Sequence, residues 1–476
     1  MKKGLFILLL QSCFALALFA QKAKPAMVKN ETTDGHPSWI MQGNIYEVNV
    51  RQYTKEGTFK AFGKHLDRLK NMGVQTLWFM PINPIGVVDR KGTLGSYYAV
   101  SDYKAVNPEF GTMADWKQLV NEAHAKGFKV IIDWVPNHTS SDNGWLTRHT
   151  DFYIKDSTGK PAMAFDWSDT KQLDYKNPEM EDSMISCMKY WITNTNIDGF
   201  RCDVAGEVPG SFWKKAIPQL KKMKNIFMLG EGDKPYLNES GFDATYPWSM
   251  FAMMKKVAKG ERPAFALDSI RKYDDTAFPR NTIRMYFTSN HDENSWNKAD
   301  YETMPGAVHA PFAVFTQTMV RGVPLIYGGQ EEPVLKAIEF FEKDPMTFEK
   351  LAREKFYKTL LNLRKRNAAL SPDASFRKVK MGNDQNIYAY IREKGKQKVL
   401  VILNLSSKPQ SIFIEDKAVL GNAYNVFKGT SEAVASRGLD LGAWGYAVYE
   451  YGDVSKSSAV KVTPAIKTKP AMKKRA

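Results

Sequence analysis

The chain has little cysteine and lacks the common spacings by which cysteine and histidine hold a metal. Its 476 residues include three cysteines, Cys13, Cys187 and Cys202, which are too few for a disulfide framework. Neither HExxH nor CxxC occurs, which argues against a zinc site. No internal repeat of fixed period is visible. We therefore expect Cys187 and Cys202 to be buried thiols.

Acidic residues are missing from the end of the chain, and this accounts for much of the net charge of +16. The segment 454–476 carries seven Lys and Arg residues and no acid, and Lys2 and Lys3 add two more positive charges. Without these nine charges the rest of the chain has only +7, so we expect no nucleic-acid partner. We predict a disordered basic tail over 453–476, which is either a solvated extension or a contact with an anionic surface or glycan.

The N-terminus has the pattern of a secretory signal peptide. Lys2 and Lys3 precede the apolar stretch GLFILLLQSCFALALFA, and cleavage after Ala20 would define a signal peptide over 1–20. The stretch is short for a membrane span, so we expect none in the mature chain. Lipidation at Cys13 is an alternative, although apolar residues continue past it. We predict an exported protein, periplasmic or secreted, with an N-terminal linker over 21–42.

The body of the chain alternates short apolar strands with amphipathic helices over 43–374, which predicts an α/β fold with a parallel sheet. A polar and aromatic insertion at 139–180 is expected to form a small lobe that shapes the site. From 375 to 452 the hydrophobic period changes to two, which predicts a C-terminal antiparallel β-sandwich. Eight strands favour a closed (β/α)8 TIM barrel, and they are predicted at 44–50, 76–82, 129–135, 197–204, 226–231, 242–246, 283–290 and 323–329.

Four short acidic segments stand at the ends of strand-like runs. They are DWVPNHTS (133–140), DGFRCDVAGEVP (198–209), MLGEGDKP (228–235) and FTSNHDENS (287–295). Because the ends of barrel strands meet at one mouth, their carboxylates are expected to converge there. Side chains two apart on a strand face the same way, so Arg201 and Asp203 are expected to point together into the barrel. The Arg would keep the Asp ionised, as a nucleophile requires, although a structural ion pair is the alternative.

Glu231 ends the fifth strand after an apolar approach, with no basic partner evident in that strand. This pattern suits a general acid whose pKa is raised by burial. Imidazoles at the mouth, His138 and His291, could donate to ligand hydroxyls, and the alternatives are structural histidines or metal ligands. Aromatic residues make up 12% of the chain, which favours a ligand with apolar faces and hydroxylated edges, such as a sugar.

These segments resemble the signature regions of the α-amylase family of glycoside hydrolases (family 13 type). Two further segments, KQLDYKNPEM (171–180) and GSYYAVSDYKAVNPEFGT (95–112), resemble other family regions. The resemblance covers about Gly43 to Gly452. It implies a retaining hydrolase of α-1,4-glucosidic bonds in starch, maltooligosaccharides or related α-glucans. A transglycosylase, or an enzyme of the cyclomaltodextrinase or neopullulanase type, is the alternative within the family. A non-catalytic glycan-binding scaffold is the alternative of another class.

The resemblance also implies roles for individual residues. Asp203 matches the nucleophile, Glu231 the general acid/base, and Asp292 the carboxylate that stabilises an oxocarbenium-like transition state. A retaining reaction needs two carboxyls about 5 to 5.5 Å apart. The residues expected to bind the sugar or orient the nucleophile are Tyr98 (with Tyr97 as the alternative), His138, Arg201 and His291, with Asp102 and Asp133 as support.

No cofactor is expected for the chemistry, but structural calcium is an open alternative. Asn137, Asp174 and the carbonyl of Glu207 match a calcium site found in many family members. Gly206 and Glu207 stand where classical α-amylases have a Lys–His pair, whose Lys touches substrate. A substrate specificity different from that of classical α-amylases is therefore an alternative as well.

Overall fold

Eight parallel strands close into a barrel in the computed structural model, which describes residues 31–452. Each strand pairs with its successor, and the last pairs with the first through Leu325 opposite Ile45. The (β/α)8 prediction is therefore confirmed. In chain order the strands are β1 (Ile45–Val48), β2 (Thr76–Phe79), β3 (Lys129–Trp134), β4 (Gly199–Cys202), β5 (Phe227–Gly230), β6 (Ala244–Thr245), β7 (Ile283–Tyr286) and β8 (Gly322–Tyr327).

Amphipathic helices surround the barrel. In Met113–Ala125, Thr112 and Asp115 form a capping box, and one face of the helix buries Trp116 and Leu119 against the core. None of the helices in the described range 31–452 is long and apolar enough to span a bilayer. The other helices of the barrel are Val50–Tyr53, Phe59–Gly63, Leu66–Met72, Pro178–Thr195, Gly210–Met223, Pro235–Glu239, Trp248–Ala258, Leu267–Ala277, His291–Ser295, His309–Thr318 and Glu354–Arg366.

The part of the predicted linker that the structure describes is folded onto the barrel. Two-residue strands, Thr32–Thr33 and His36–Pro37, pair with each other and lead into a short 3-10 helix, Ser38–Ile40. His36 lies 2.9 Å from Asp243, and Ile40 is fully buried. This segment is therefore not a free linker, because its apolar residues belong to the core. The predicted signal peptide, Cys13 and the basic tail lie outside the described residues.

The insertion between β3 and β4 carries a two-stranded antiparallel sheet, His138–Ser140 paired with Thr170–Gln172. A short helix, Gly144–Arg148, lies between these strands and packs its Trp145 ring on Phe152 and Tyr103. The lobe thus begins directly at the end of β3, and His138 belongs to its first strand.

The C-terminal domain is built from antiparallel strands. Six of them form one sheet and two form a second sheet, so that the large sheet is covered by the barrel on one face and by the small sheet on the other. Arg392, on the large sheet, attaches its barrel-facing side by donating to the carbonyls of Thr318 and Ser371, both at 2.7 Å. The antiparallel C-terminal prediction is confirmed. The strands are β9 (Ser375–Lys378), β10 (Ile387–Lys394), β11 (Gln397–Asn404), β12 (Gln410–Ile412), β13 (Gly421–Asn425), β14 (Thr430–Val434), β15 (Leu439–Leu441) and β16 (Tyr446–Tyr451).

Both described cysteines are free thiols. Cys187 lies on the helix Pro178–Thr195, Cys202 ends β4, and both are buried. Burial raises the pKa of Cys187 to about 12, which favours the protonated thiol near neutral pH. The expectation of buried thiols is confirmed.

Candidate active site

Three predicted carboxylates meet at the carboxyl ends of the barrel strands. Asp203 follows β4, Glu231 follows β5, and Asp292 lies in the short helix after β7. All three line a cleft of about 580 Å³, a size suited to a small or extended ligand. Tyr98 and His291 line the same cleft, which therefore contains most of the predicted site.

A single buried guanidinium contacts two of these carboxylates, Asp203 and Glu231, and also the carboxylate of Asp133. Arg201 is fully buried, and its Nη1 donates to Asp133 Oδ1 at 2.9 Å and to Asp203 Oδ1 at 3.0 Å. Its Nη2 lies 2.8 Å from Glu231 Oε2. Asp133, Asp203 and Glu231 therefore share one cation.

The contact between Arg201 and Glu231 corrects one expectation. The sequence shows no basic partner for Glu231 within its own strand, but Arg201 reaches it from the neighbouring strand, where it pairs with Leu229. The backbone N–H of Val204 also donates to Glu231 Oε2 at 2.7 Å. Glu231 therefore has a basic partner, although none lies in its own strand.

The pKa of Asp203 also differs from the expectation that Arg201 keeps this carboxyl ionised. Burial raises its pKa well above the usual range; Arg201 opposes this shift, and Glu231 adds to it. Two nearby carboxylates in a low-dielectric site resist ionising together. Arg201 therefore does not by itself offset the effect of burial on the Asp203 carboxyl.

His291 is held as a charged donor. Burial lowers its pKa, but the carboxylates of Asp292 and Glu47 outweigh burial and raise it to about 9. Its Nδ1 lies 2.5 Å from Glu47 Oε1, and its Nε2 lies 2.7 Å from the Tyr98 hydroxyl. Glu47 is a functional candidate that the sequence analysis missed; the available signal was a lone carboxylate inside the buried run 44–50.

His138 has the opposite electrostatic character. Burial lowers its pKa to about 3, so the imidazole is neutral across the physiological range. Its Nε2 is buried and has no hydrogen-bond partner within residues 31–452. The ring also lies beside Trp167, with centroids 5.2 Å apart, and both residues line the cleft. A buried, unpaired ring nitrogen at a cleft surface is suited to a ligand hydroxyl.

Of the two candidate tyrosines and the two candidate supporting residues, the structure brings one of each to the site. Tyr98 lies in the cleft, with its hydroxyl 3.2 Å from Asp133 Oδ2, whereas Tyr97 is buried beneath Arg51. Asp133 is fully buried and is held by Arg201, as a supporting residue should be. Asp102, in contrast, is exposed and caps a local turn by accepting from the Lys104 N–H at 2.7 Å. The structure does not bring Asp102 to the site, because its side chain is used by its own loop.

Comparisons with known proteins agree with this arrangement. The model of the α-amylase catalytic domain matches residues 25–379, and that of the α-amylase SusG C-terminal domain matches 387–445. The chain belongs to the α-amylase family. A solved maltogenic α-amylase from Thermotoga neapolitana is 28% identical, with a TM-score of 0.76, over 87% of this chain and 97% of that chain. A solved α-amylase from Lactobacillus plantarum is 29% identical, with a TM-score of 0.76, over 87% of this chain and 100% of that chain.

Curated relatives in the α-amylase family have several activities by name. The α-amylase MalA of Haloarcula japonica is 26% identical over 79% of this chain, and the match spans 57% of that protein. Neopullulanase 2 of Thermoactinomyces vulgaris is 27% identical over 80% of this chain and 72% of that protein. Membership of the family therefore leaves open which α-glucan bond is attacked.

The residues matching the family calcium site are a weak donor set. Asp174 is the only carboxylate among the three predicted ligating groups, and its Oδ1 already accepts from the Lys176 N–H at 2.9 Å. Glu207 would contribute its backbone carbonyl, which adds no negative charge to the set. Over residues 31–452, no group of three or more His, Cys, Asp or Glu is arranged to hold a metal. These contacts give no support to calcium at Asn137, Asp174 and Glu207.

Several other lining residues come from irregular loops and were not predicted. Trp296 follows the helix that carries Asp292 and is 53% exposed. Its ring packs on Phe340 and Phe341, with centroids 5.3 Å and 5.9 Å apart. Lys91 and Asp169 meet across the cleft surface as an ion pair. The sequence signal was an apolar or charged residue in a loop, which is too common to be informative.

Proposed function

We propose that the protein is a retaining glycoside hydrolase that cleaves α-1,4-glucosidic bonds in starch, maltooligosaccharides or related α-glucans. The contact of Arg201 with both Asp203 and Glu231 carries this proposal, because it holds two carboxyls beside one reacting centre. Asp203 attacks the anomeric carbon while Glu231 protonates the departing oxygen. Glu231 then takes a proton from water, which displaces Asp203 and gives net retention.

The surrounding groups fit the charge that develops during this reaction. Asp292 lies at the cleft surface, where its carboxylate stabilises the oxocarbenium-like transition state. Charged His291 holds the Tyr98 hydroxyl and lies beside Asp292, and neutral His138 has an unpaired ring nitrogen for a sugar hydroxyl. The Tyr98 ring provides an apolar face for the sugar at the cleavage point. No step requires a cofactor.

Alternative functions share much of this machinery. A transglycosylase would differ only in the second displacement, where a sugar hydroxyl replaces water. Relatives named neopullulanase and cyclomaltodextrinase support keeping related α-glucans within the proposal. A non-catalytic glycan-binding scaffold is disfavoured because Asp203, Glu231 and Asp292 are all present.

The proposal is tested with maltoheptaose, soluble starch, pullulan and β-cyclodextrin as substrates. Glu231→Gln keeps the side-chain shape and should reduce kcat/KM about 10³-fold, or about 4 kcal/mol of transition-state stabilisation. Glu239→Gln, an exposed acid eight positions further on, is the control and should retain full activity. Undiminished turnover by Glu231→Gln would refute its acid/base role, and products longer than the input would identify a transglycosylase.

We also propose that the protein is exported to the periplasm or the medium after removal of residues 1–20. The basic N-terminal charges and the apolar stretch that follows support this proposal. N-terminal sequencing of the mature protein should begin at Gln21; retention of Met1 would contradict it.

The basic tail is proposed to adhere to an anionic surface or glycan. Its seven positive charges without any acid support the proposal. Removal of residues 454–476 should abolish salt-sensitive binding to anionic vesicles while activity on maltoheptaose is unchanged. Binding that survives the truncation would contradict it.

A further inference from the structure

We propose that an ion pair between Lys91 and Asp169 closes one end of the cleft, so that the enzyme releases short products from the non-reducing ends of α-glucans. This inference rests on the proposed hydrolase function and deepens it. Cleavage would then depend on a free chain end, and internal bonds of long or blocked chains would be poor substrates.

The ion pair connects two parts of the molecule that flank the cleft. Lys91 lies in the loop 86–96 after β2, and Asp169 lies in the insertion lobe, with Nζ and Oδ1 3.3 Å apart. The Asp169 side chain is 4% exposed, and its Oδ2 has no hydrogen-bond partner within the described part of the chain. Both residues line the cleft, so the ion pair forms part of its surface.

The same loop and lobe are also joined through backbone groups. Asp142, in the lobe, accepts hydrogen bonds from the N–H groups of Val87 at 2.7 Å and Val88 at 3.1 Å. The loop is thus attached to the lobe at two places, through Asp142 and through Asp169. The closed end of the cleft therefore depends on a loop held in place by several contacts, and not on one flexible lysine side chain.

The structure that closes the cleft continues from the loop 86–96 to the segment after β8. The Leu94 N–H donates to the Phe341 carbonyl at 3.0 Å. Buried Arg51 donates to the carbonyls of Gly95 at 3.0 Å and Phe340 at 3.3 Å, which ties the two segments together. Trp296 packs on Phe340 and extends this structure to the helix of Asp292. We call these cleft-lining residues, Lys91, Asp169, Trp296, Phe340 and Phe341, the end wall.

The position of Glu231 indicates which part of the substrate meets the end wall. A general acid lies beside the oxygen that departs, so the leaving part of the glucan extends past Glu231 at the end of β5. The end wall is built from the β2, β7 and β8 loops and the lobe, and its residues therefore face the part of the substrate that stays on the enzyme. At the rim near Glu231, position 206 is Gly and contributes no side chain. The closed end therefore receives the non-reducing end of the chain.

The test uses maltoheptaose labelled with a fluorophore at its reducing end, in two forms. One form has a free non-reducing end, and the other carries a 4,6-O-ethylidene block there. We expect the wild-type enzyme to cleave the free form at least about 50-fold faster, because the blocked unit does not fit the closed end. Product lengths should also show release of one fixed short unit from the free form.

Two variants assign this preference to the ion pair. Lys91→Ala removes a partly exposed side chain, and Asp169→Asn keeps the volume while removing the charge. Each should reduce the free-to-blocked ratio at least about tenfold and produce mixed product lengths. Asp275→Ala, which breaks an exposed ion pair with Arg271 on an outer helix, is the matched control and should keep the wild-type ratio.

The outcomes separate this inference from the proposed function. Equal cleavage of both substrates by the wild-type enzyme would overturn the closed end while leaving the hydrolase intact. A wild-type preference that persists in both variants would overturn the role of the ion pair. Cleavage of neither substrate would overturn the proposed function and this inference with it.

Discussion

Replacing Arg201 with Lys tests the electrostatic basis of the site. The guanidinium contacts Asp133, Asp203 and Glu231 together, and its Nε donates to the Tyr246 hydroxyl at 3.1 Å. An ammonium is a single point charge on a flexible stem and lacks the planar fork. Arg201→Lys therefore keeps the positive charge but cannot maintain all of these contacts.

The size of the effect follows from the burial of the group. Removing one partner of a buried ion pair costs about 3–5 kcal/mol, and Lys recovers part of this. We expect kcat/KM to fall about 10²-fold, equivalent to about 2.7 kcal/mol. Because positive charge favours the ionised carboxylate, weaker contact should raise the pKa of Asp203. The acidic limb of the kcat/KM profile should then move to higher pH by about 1–2 units. Each unit corresponds to about 1.36 kcal/mol of lost preference for the ionised carboxylate.

The assay is a pH profile of kcat/KM on maltoheptaose, beside the variant Arg392→Lys. Arg392 is also fully buried but donates only to backbone carbonyls at the domain interface. Its variant should lower the Tm without moving the acidic limb. An unmoved acidic limb in Arg201→Lys, with activity reduced or not, would refute the electrostatic account.

Further predictions concern charge, metal and substrate contact. The folded pKa of His291, about 9, exceeds its unfolded value, so its stabilisation is complete below about pH 6.5 and is lost as pH rises through about 9. Thermal melts should show this loss, and His291→Gln should remove it. EDTA should leave the Tm unchanged because Asp174 is the only carboxylate in the predicted calcium set; a fall restored by Ca²⁺ would contradict this. Trp296→Ala should raise the KM for maltoheptaose about tenfold through lost stacking, whereas Tyr273→Ala, equally exposed on an outer helix, should not.

The barrel and its carboxylates could be predicted because they follow local rules. A buried strand has a continuous apolar pattern, and the residues that end parallel strands meet at one edge. Asp203, Glu231 and Asp292 therefore converge as expected. The alternation of period two also predicted the antiparallel C-terminal domain over 375–452, where the large sheet has an apolar surface on each face.

Contacts between strands and loops could not be predicted in the same way. The environment of Glu231 depends on Arg201, which lies 30 positions earlier and meets it only through the register of β4 and β5. The pKa of His291 depends on Glu47, on the far side of the barrel closure. The end wall joins irregular loops without hydrophobic period, so neither Lys91 nor Asp169 carries a local signal. Asp102 was expected to support the site, but its side chain is used by its own loop. A match to a motif position does not determine where a side chain points.

The most direct test of the retaining mechanism is the anomeric form of the first product. Proton NMR of wild-type enzyme with maltoheptaose, recorded before mutarotation, should show the α-anomer. Two displacements, by Asp203 and then by water activated by Glu231, require this result. Early appearance of the β-anomer would contradict the double displacement and the roles assigned to both carboxyls.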